Sequence, residues 1–242
     1  MIKVFVAALD ATPEATSDAP PNATSGTRRS HDRLDPASVL SADELERAER
    51  LRGGILRRRW IASHIALRRA LAAELNVPAQ SLGFTTDAAG KPHLAGAHAG
   101  ALEFSLSHSA ALAVIAVSRT VPVGADVELV ESITDSNAVA RRHFSHDEWH
   151  ALDRLAGDER VEAFYRIWTR KEAYIKATGS GLGHALDRFV VSHARDDARI
   201  ASIEGDETAA RDWTLVDLQL DAPYVGAVAA QVPNARVVIT HL

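Results

Sequence analysis

The chain has 242 residues, 46% hydrophobic and 24% charged, enough for one large domain or two small ones with an apolar core. Its 27 basic and 32 acidic residues give a net charge of −5, which argues against global disorder and, with a pI near 6.1, against bulk nucleic-acid binding. No cysteine occurs, so disulfides, thiolate nucleophiles and Cys-bound metals are excluded.

In chain order, Ile2 to Leu9 reads as a short, β-branched, buried strand. Residues 10 to 37, rich in Ala, Thr, Ser, Pro and Asp, carry no hydrophobic period and read as a flexible loop. Ser41 with Glu44 is a capping-box signature, and Gly53-Gly54 breaks or kinks the helix it opens. The helix resumes through Ile55, Trp60, Ile61, Ile65, Leu67 and Leu71 and ends before Pro78. Polar turns follow, then a hairpin of residues 101–107 and 111–118 and a strand over 121–130. Ser145 with Glu148 repeats the capping box, and an amphipathic helix runs from about Glu159 to Thr178, stopped by the glycines of 179–183. Strands are expected at 189–192, 213–220, 224–231 and 237–240.

The Ser41–Glu44 and Ser145–Glu148 boxes, and the hairpins near 112–117 and 224–232, lie about a hundred residues apart. This pattern suggests a tandem duplication. The expected fold class is α+β, with two pseudo-two-fold α/β halves, 1–120 and 121–242, each a long helix on an antiparallel sheet. A ligand site is expected between the halves.

Three segments carry chemistry. In Val123-Gly-Ala-Asp-Val-Glu128, strand alternation puts Asp126 and Glu128 on one face and Ala125 and Val127 on the other. Paired carboxylates want a cation, and oxygen-only ligands suit magnesium or manganese; two solvated acids at a strand end are the plainer reading. Trp168, Glu172 and Lys176 form an i, i+4, i+8 stripe, either a surface ion pair or a half-buried acid and lysine in need of a ligand. Phe104-Ser-Leu-Ser-His-Ser109 gathers hydroxyls and an imidazole that could bind a phosphate, or is simply a serine-rich turn. No G-x-S-x-G or P-loop occurs, and Gly179-x-Gly181-x-Gly183 follows a helix, so a dinucleotide fingerprint fails on context.

Together, Gly90-Lys91-Pro92, Phe104–Ser109, Gly124-x-Asp126-x-Glu128 and Trp168-x-x-Lys-Glu-Ala-x-x-Lys176 through Leu182 resemble, in order and spacing, the motifs of the 4′-phosphopantetheinyl transferase superfamily, in its Sfp-like class of single-chain pseudo-dimers. The resemblance implies transfer of the 4′-phosphopantetheine group of coenzyme A to a serine of an apo acyl, polyketide or peptidyl carrier protein. Adenosine 3′,5′-bisphosphate is released, and the reaction depends on Mg²⁺ (Mn²⁺ as a substitute). It implies Asp126, Glu128 and Glu172 as metal ligands, one of them acting through water or as base, and Lys176 as the group neutralising phosphate charge. Ser107, His108, Gly90, Lys91, Pro92, Arg59 and Arg47 fall where the family contacts coenzyme A. Glu148 matches a family acid, with its capping box as a complete structural alternative. Ser105 stands where the family often has Asn, and the 10–37 loop is long. A carrier-modifying monomer, without nucleic acid or membrane as partner, is the expectation. The start MIKVFVAALD lacks the basic region and long apolar stretch of a signal peptide, so a cytoplasmic chain is expected. A pyrophosphohydrolase and a non-catalytic binder are the rival readings.

Overall fold

The computed structural model describes residues 1–10, 35–132, 135–181 and 186–242. The fold is α+β. Strand β1 (Ile2–Ala8) is the hub of the first sheet: it pairs antiparallel with β5 (Leu112–Ser118) on one side and parallel with β11 (Val237–His241) on the other. Strand β4 (Glu103–Ser109) completes the order β11-β1-β5-β4. The β4–β5 hairpin is the one the alternation predicts. The second sheet has the order β6-β10-β9, with β6 (Val123–Leu129) antiparallel to β10 (Tyr224–Ala230) and β9 (Thr214–Asp217) at its edge.

Two 22-residue helices cover the sheets. Helix α2 (Gly54–Leu75) follows α1 (Ala42–Arg50), and its Leu67, Ala70 and Leu71 pack on Phe5, Phe104 and Ile115. Helix α5 (Gly157–Thr178) packs its Ala173 and Ala177 on Ala227 and Ala229 of β10. A third apolar cluster joins the sheets: Ile2, Val4, Val6 and Val114 of the first meet Val123, Ala125, Val127 and Val228 of the second. Ala125 and Val127 thus face apolar packing, as alternation requires.

The structure adds elements that the sequence pattern does not announce. Strands β2 (Gly83–Thr86) and β3 (Pro92–Ala95) form a small hairpin where only polar turns are expected. Helix α3 (Ser136–His143) precedes α4 (His146–Asp153), and β8 (Ile200–Ile203) and α6 (Glu207–Ala210) follow β7 (Phe189–Val191). The expected loop 10–37 lies mostly outside the described residues; its end forms a single 3₁₀ turn at Pro36–Ser38. The expected C-terminal unit 121–242 gives its last strand, β11, to the first sheet. Among the described residues no helix is long and apolar enough to cross a membrane.

Candidate active site

The site is set by how closely α5 lies on β6. A Cβ on Gly124 would stand 2.1 Å from the Ala173 carbonyl oxygen and 2.3 Å from the Ala177 nitrogen, so only glycine lets the helix backbone touch the strand. Asp126 and Glu128, two and four positions on, share that strand face. Helix α5 contributes Glu172 and Lys176, one turn apart. Lys176 Nζ donates to Asp126 Oδ1 at 2.6 Å and to Ser107 Oγ at 3.0 Å. Ser107 in turn donates to Asp126 Oδ1 at 2.8 Å.

Asp126 is 3% and Glu172 8% exposed, yet Asp126 Oδ2 and Glu172 Oε1 are buried without a hydrogen-bond partner. Unsatisfied carboxylate oxygens are costly. Burial first, then the Asp126 charge, pushes the Glu172 carboxyl above the ordinary range, with Lys176 opposing and Glu128 adding. Burial and Asp126 also push Glu128 up, against a Ser109 hydrogen bond and Lys176. These cross-couplings tie all three acids and the lysine into one electrostatic cluster. Among the described residues no three His, Asp or Glu side chains form a ready-made metal cage.

Serines of β4 stitch the first sheet to β6. Ser105 Oγ accepts from the Ala125 N–H at 3.1 Å. Ser109 Oγ accepts from the Leu129 N–H at 3.1 Å and donates to Glu128 Oε2 at 2.8 Å. Sequence reasoning singled out Ser107 but not this use of Ser105 and Ser109. The signal was the spacing, since three serines at alternate strand positions share one face. Alternation sends His108 to the opposite side of β4; partial burial of its ring, then the Lys176 charge, holds the imidazole below its usual range.

A cleft of about 320 Å³ opens beside the cluster, lined by Gly90, Lys91, Pro92, Ser105, Glu172 and Lys176 among others. The β2–β3 turn is wound around Asp87, which accepts from the Ala89 and Lys91 N–H groups at 2.9 Å each. Lys91 crosses to α5 and donates to the Ala177 carbonyl at 3.0 Å. A second cleft of about 410 Å³ shares Pro92 and Leu106 with the first and is lined by Arg47 and His64. Arg59 lines neither cleft; its guanidinium forks the Asp10 carboxylate at 2.9 and 2.6 Å.

Against this geometry, comparison with known proteins is decisive. The profile of the 4′-phosphopantetheinyl transferase superfamily matches residues 122–229. The 4′-phosphopantetheinyl transferase HetI of Nostoc sp. is 35% identical over 196 residues, covering 81% of this chain and 80% of that protein. The chain belongs to the 4′-phosphopantetheinyl transferase superfamily. The transferase psf-1 of Bacillus pumilus is 30% identical over 208 residues, covering 86% of this chain and 85% of that one. A solved holo-[acyl-carrier-protein] synthase (AcpS) from Thermotoga maritima overlaps 48% of this chain and 66% of its own, with 20% identity and a TM-score of 0.37, too slight a likeness to argue from.

Glu148 of this transferase is placed differently from the other acids. It closes the Ser145 capping box, accepting from the Ser145 N–H at 2.8 Å, accepts from the Val191 N–H at 2.7 Å, and pairs with Lys171 Nζ at 2.8 Å. Its partners are thus Ser145, Val191 and Lys171, none of them in the carboxylate cluster. Where sequence reading left a catalytic role and a capping role open, the observed contacts are those of the cap. Trp168 stacks with Phe164 at 6.2 Å in an aromatic group with Phe144 and His143, and Phe164 and Tyr174 are core residues. The Leu182 end of the helix motif lies outside the described residues.

Proposed function

We propose that the chain transfers the 4′-phosphopantetheine group of coenzyme A to a serine of an apo carrier protein, as an Mg²⁺-dependent cytoplasmic monomer releasing adenosine 3′,5′-bisphosphate. The observation that carries this reading is the pair of buried, unpartnered carboxylate oxygens, Asp126 Oδ2 and Glu172 Oε1, beside Lys176 at the edge of the Gly90–Pro92 cleft. The donor set fits magnesium: all oxygen, with one unpartnered oxygen on each of two carboxylates, and no closed cage among the described residues. Asp126 and Glu172 would hold it directly, with Glu128, tethered by Ser109, reaching it through water. Bound there, Mg²⁺ would neutralise charge on the pyrophosphate.

In the reaction the carrier serine Oγ forms a bond to the β-phosphorus of coenzyme A, and the bond from that phosphorus to the bridging oxygen breaks. The electron pair leaves on adenosine 3′,5′-bisphosphate. The serine proton passes to a carboxylate of the cluster that does not hold the metal directly, a place that Glu128, tethered by Ser109, can fill. Lys176 places its ammonium where charge grows on the leaving phosphate. Lys91 and Pro92 line the cleft proposed for the nucleotide, and Ser107 is held at its edge through Lys176. Arg47, without an ion-pair partner among the described residues, is suited to the 3′-phosphate. Arg59 would have to exchange Asp10 for it.

The test is incubation with coenzyme A, Mg²⁺ and apo carrier protein. Mass gain on the carrier with nucleotide release supports the transferase. Nucleotide release without mass gain shows a pyrophosphohydrolase. Neither product leaves a binder.

A further inference from the structure

Helix α4 presents a pair of imidazoles that the transfer reaction does not use. His146 and His150 are four residues apart on one helix face, and their Nε2 atoms stand 2.9 Å from each other. The ring centroids are 4.1 Å apart, with planes at 61°. The nitrogens are therefore closer together than the rings, and without a metal one Nε2–H donates to the other Nε2. His146 is open to solvent, with its side chain 78% exposed. His150 is buttressed by Trp149, whose ring lies 4.5 Å away at 31°, and Arg141 sits 4.6 Å from that indole. The Asp147 carboxylate lies 3.6 Å from His146 Nδ1, on the other ring nitrogen from the one that faces His150, and its charge favours a cation.

We propose that His146 and His150 form a binding site for a divalent copper or nickel ion, on a different element from Asp126 and Glu172. With metal–nitrogen bonds of about 2.0–2.1 Å, a 2.9 Å separation subtends roughly a right angle at the ion. That is the cis angle of square-planar and octahedral ions, which copper(II) and nickel(II) favour, and it is tighter than zinc's tetrahedral angle. Imidazole nitrogen is a ligand that these ions take and magnesium does not. No third His, Asp or Glu completes a cage among the described residues, so water fills the other positions. The chain has no cysteine to compete for the ion. An occupied site would bridge successive turns of α4, the helix that carries Glu148 to Lys171, and so raise the melting temperature.

The experiment is calorimetric titration of untagged, full-length protein with Ni²⁺ in excess Mg²⁺, alongside Cu²⁺ quenching of tryptophan fluorescence. One equivalent of saturable binding is expected, weakened about tenfold or more in His146→Gln and in His150→Gln and unchanged in Asp126→Ala. Trp149→Phe should bind Ni²⁺ normally while losing most of the Cu²⁺ quenching, because Trp149 is the indole packed on His150. Circular dichroism confirms that each variant is folded. No saturable binding, binding that survives both histidine substitutions, or binding lost with Asp126 would each overturn the proposal.

Discussion

The surroundings of Glu44 and of Glu148 are built alike. Each glutamate is the third residue of a helix and closes a serine capping box. Each pairs with a buried cation on the next long helix: Glu44 with Arg68 at 2.7 Å, Glu148 with Lys171 at 2.8 Å. Each cation also donates to two backbone carbonyls, Ala79 and Leu82 for Arg68, Leu186 and Phe189 for Lys171. Each lies over a phenylalanine ring, Phe84 at 5.0 Å and Phe189 at 4.2 Å. The difference is the next residue. Arg69 follows Arg68 into solvent, whereas Glu172 follows Lys171 into the carboxylate cluster. Both buried pairs tie a capping box to the next long helix, and only beside Lys171 does the following residue enter the carboxylate cluster.

The sharpest way to break the comparison is on the chemical side. Asp126→Ala should cost about 10³-fold in kcat, the scale of lost electrostatic stabilisation, while leaving the fold intact by circular dichroism. Near-normal turnover would remove Asp126 from the site. Next, Glu148→Ala strands Lys171 and Glu44→Ala strands Arg68, so each should lose about 3–5 kcal/mol in denaturant unfolding. The paired replacement Glu148→Leu with Lys171→Met should recover only part of that loss, since the Ser145 and Val191 N–H groups still lose their acceptor, and a scaffold role predicts that activity returns in step with stability. Lys176→Ala should lower kcat rather than raise KM, since charge develops only as the bond breaks. Ser109→Ala, which frees Glu128, should raise the Mg²⁺ concentration needed for half-maximal rate several-fold, with Ser109→Thr partly restoring it.

The smallest effect separates the first clamp's neighbourhood by pH. Burial holds the His64 imidazole down at about 4, from an ordinary 6.5, with the Trp60 carbonyl opposing. A folded value below the unfolded one means that the unfolded chain binds the proton first, so stability present above pH 6.5 is lost as pH falls toward 4. His64→Gln should flatten that part of the stability curve, measured by denaturant midpoints across the window.

Much of this architecture was legible. The long helices announced themselves by period, the β4–β5 hairpin and β6 by alternation, and both capping boxes by Ser-x-x-Glu spacing. The short elements were not. Strands β2 and β3 are four residues each around a polar turn, β8 is four residues between polar loops, and α3 begins at Ser136 with no side-chain hydrogen bond from its N-cap, Asp135. Such segments are ordered by what they pack against, which local pattern does not encode. In the site, Asp126, Glu128, Glu172 and Lys176 were readable as residue types at fixed spacing. That Glu148 pairs with Lys171, 23 positions on, or that Arg59 clasps Asp10 across 49 positions, is tertiary information.

Strand β11 makes the two ends of the chain neighbours: Ile2 pairs with Val237, and the Leu242 N–H reaches the Val6 carbonyl at 2.9 Å. The opening strand therefore cannot acquire this neighbour until more than two hundred further residues have left the ribosome. Until then one flank of β1 stands bare and open to strand-to-strand sticking. Trimming the chain before Val237 should yield aggregates rather than a smaller working enzyme.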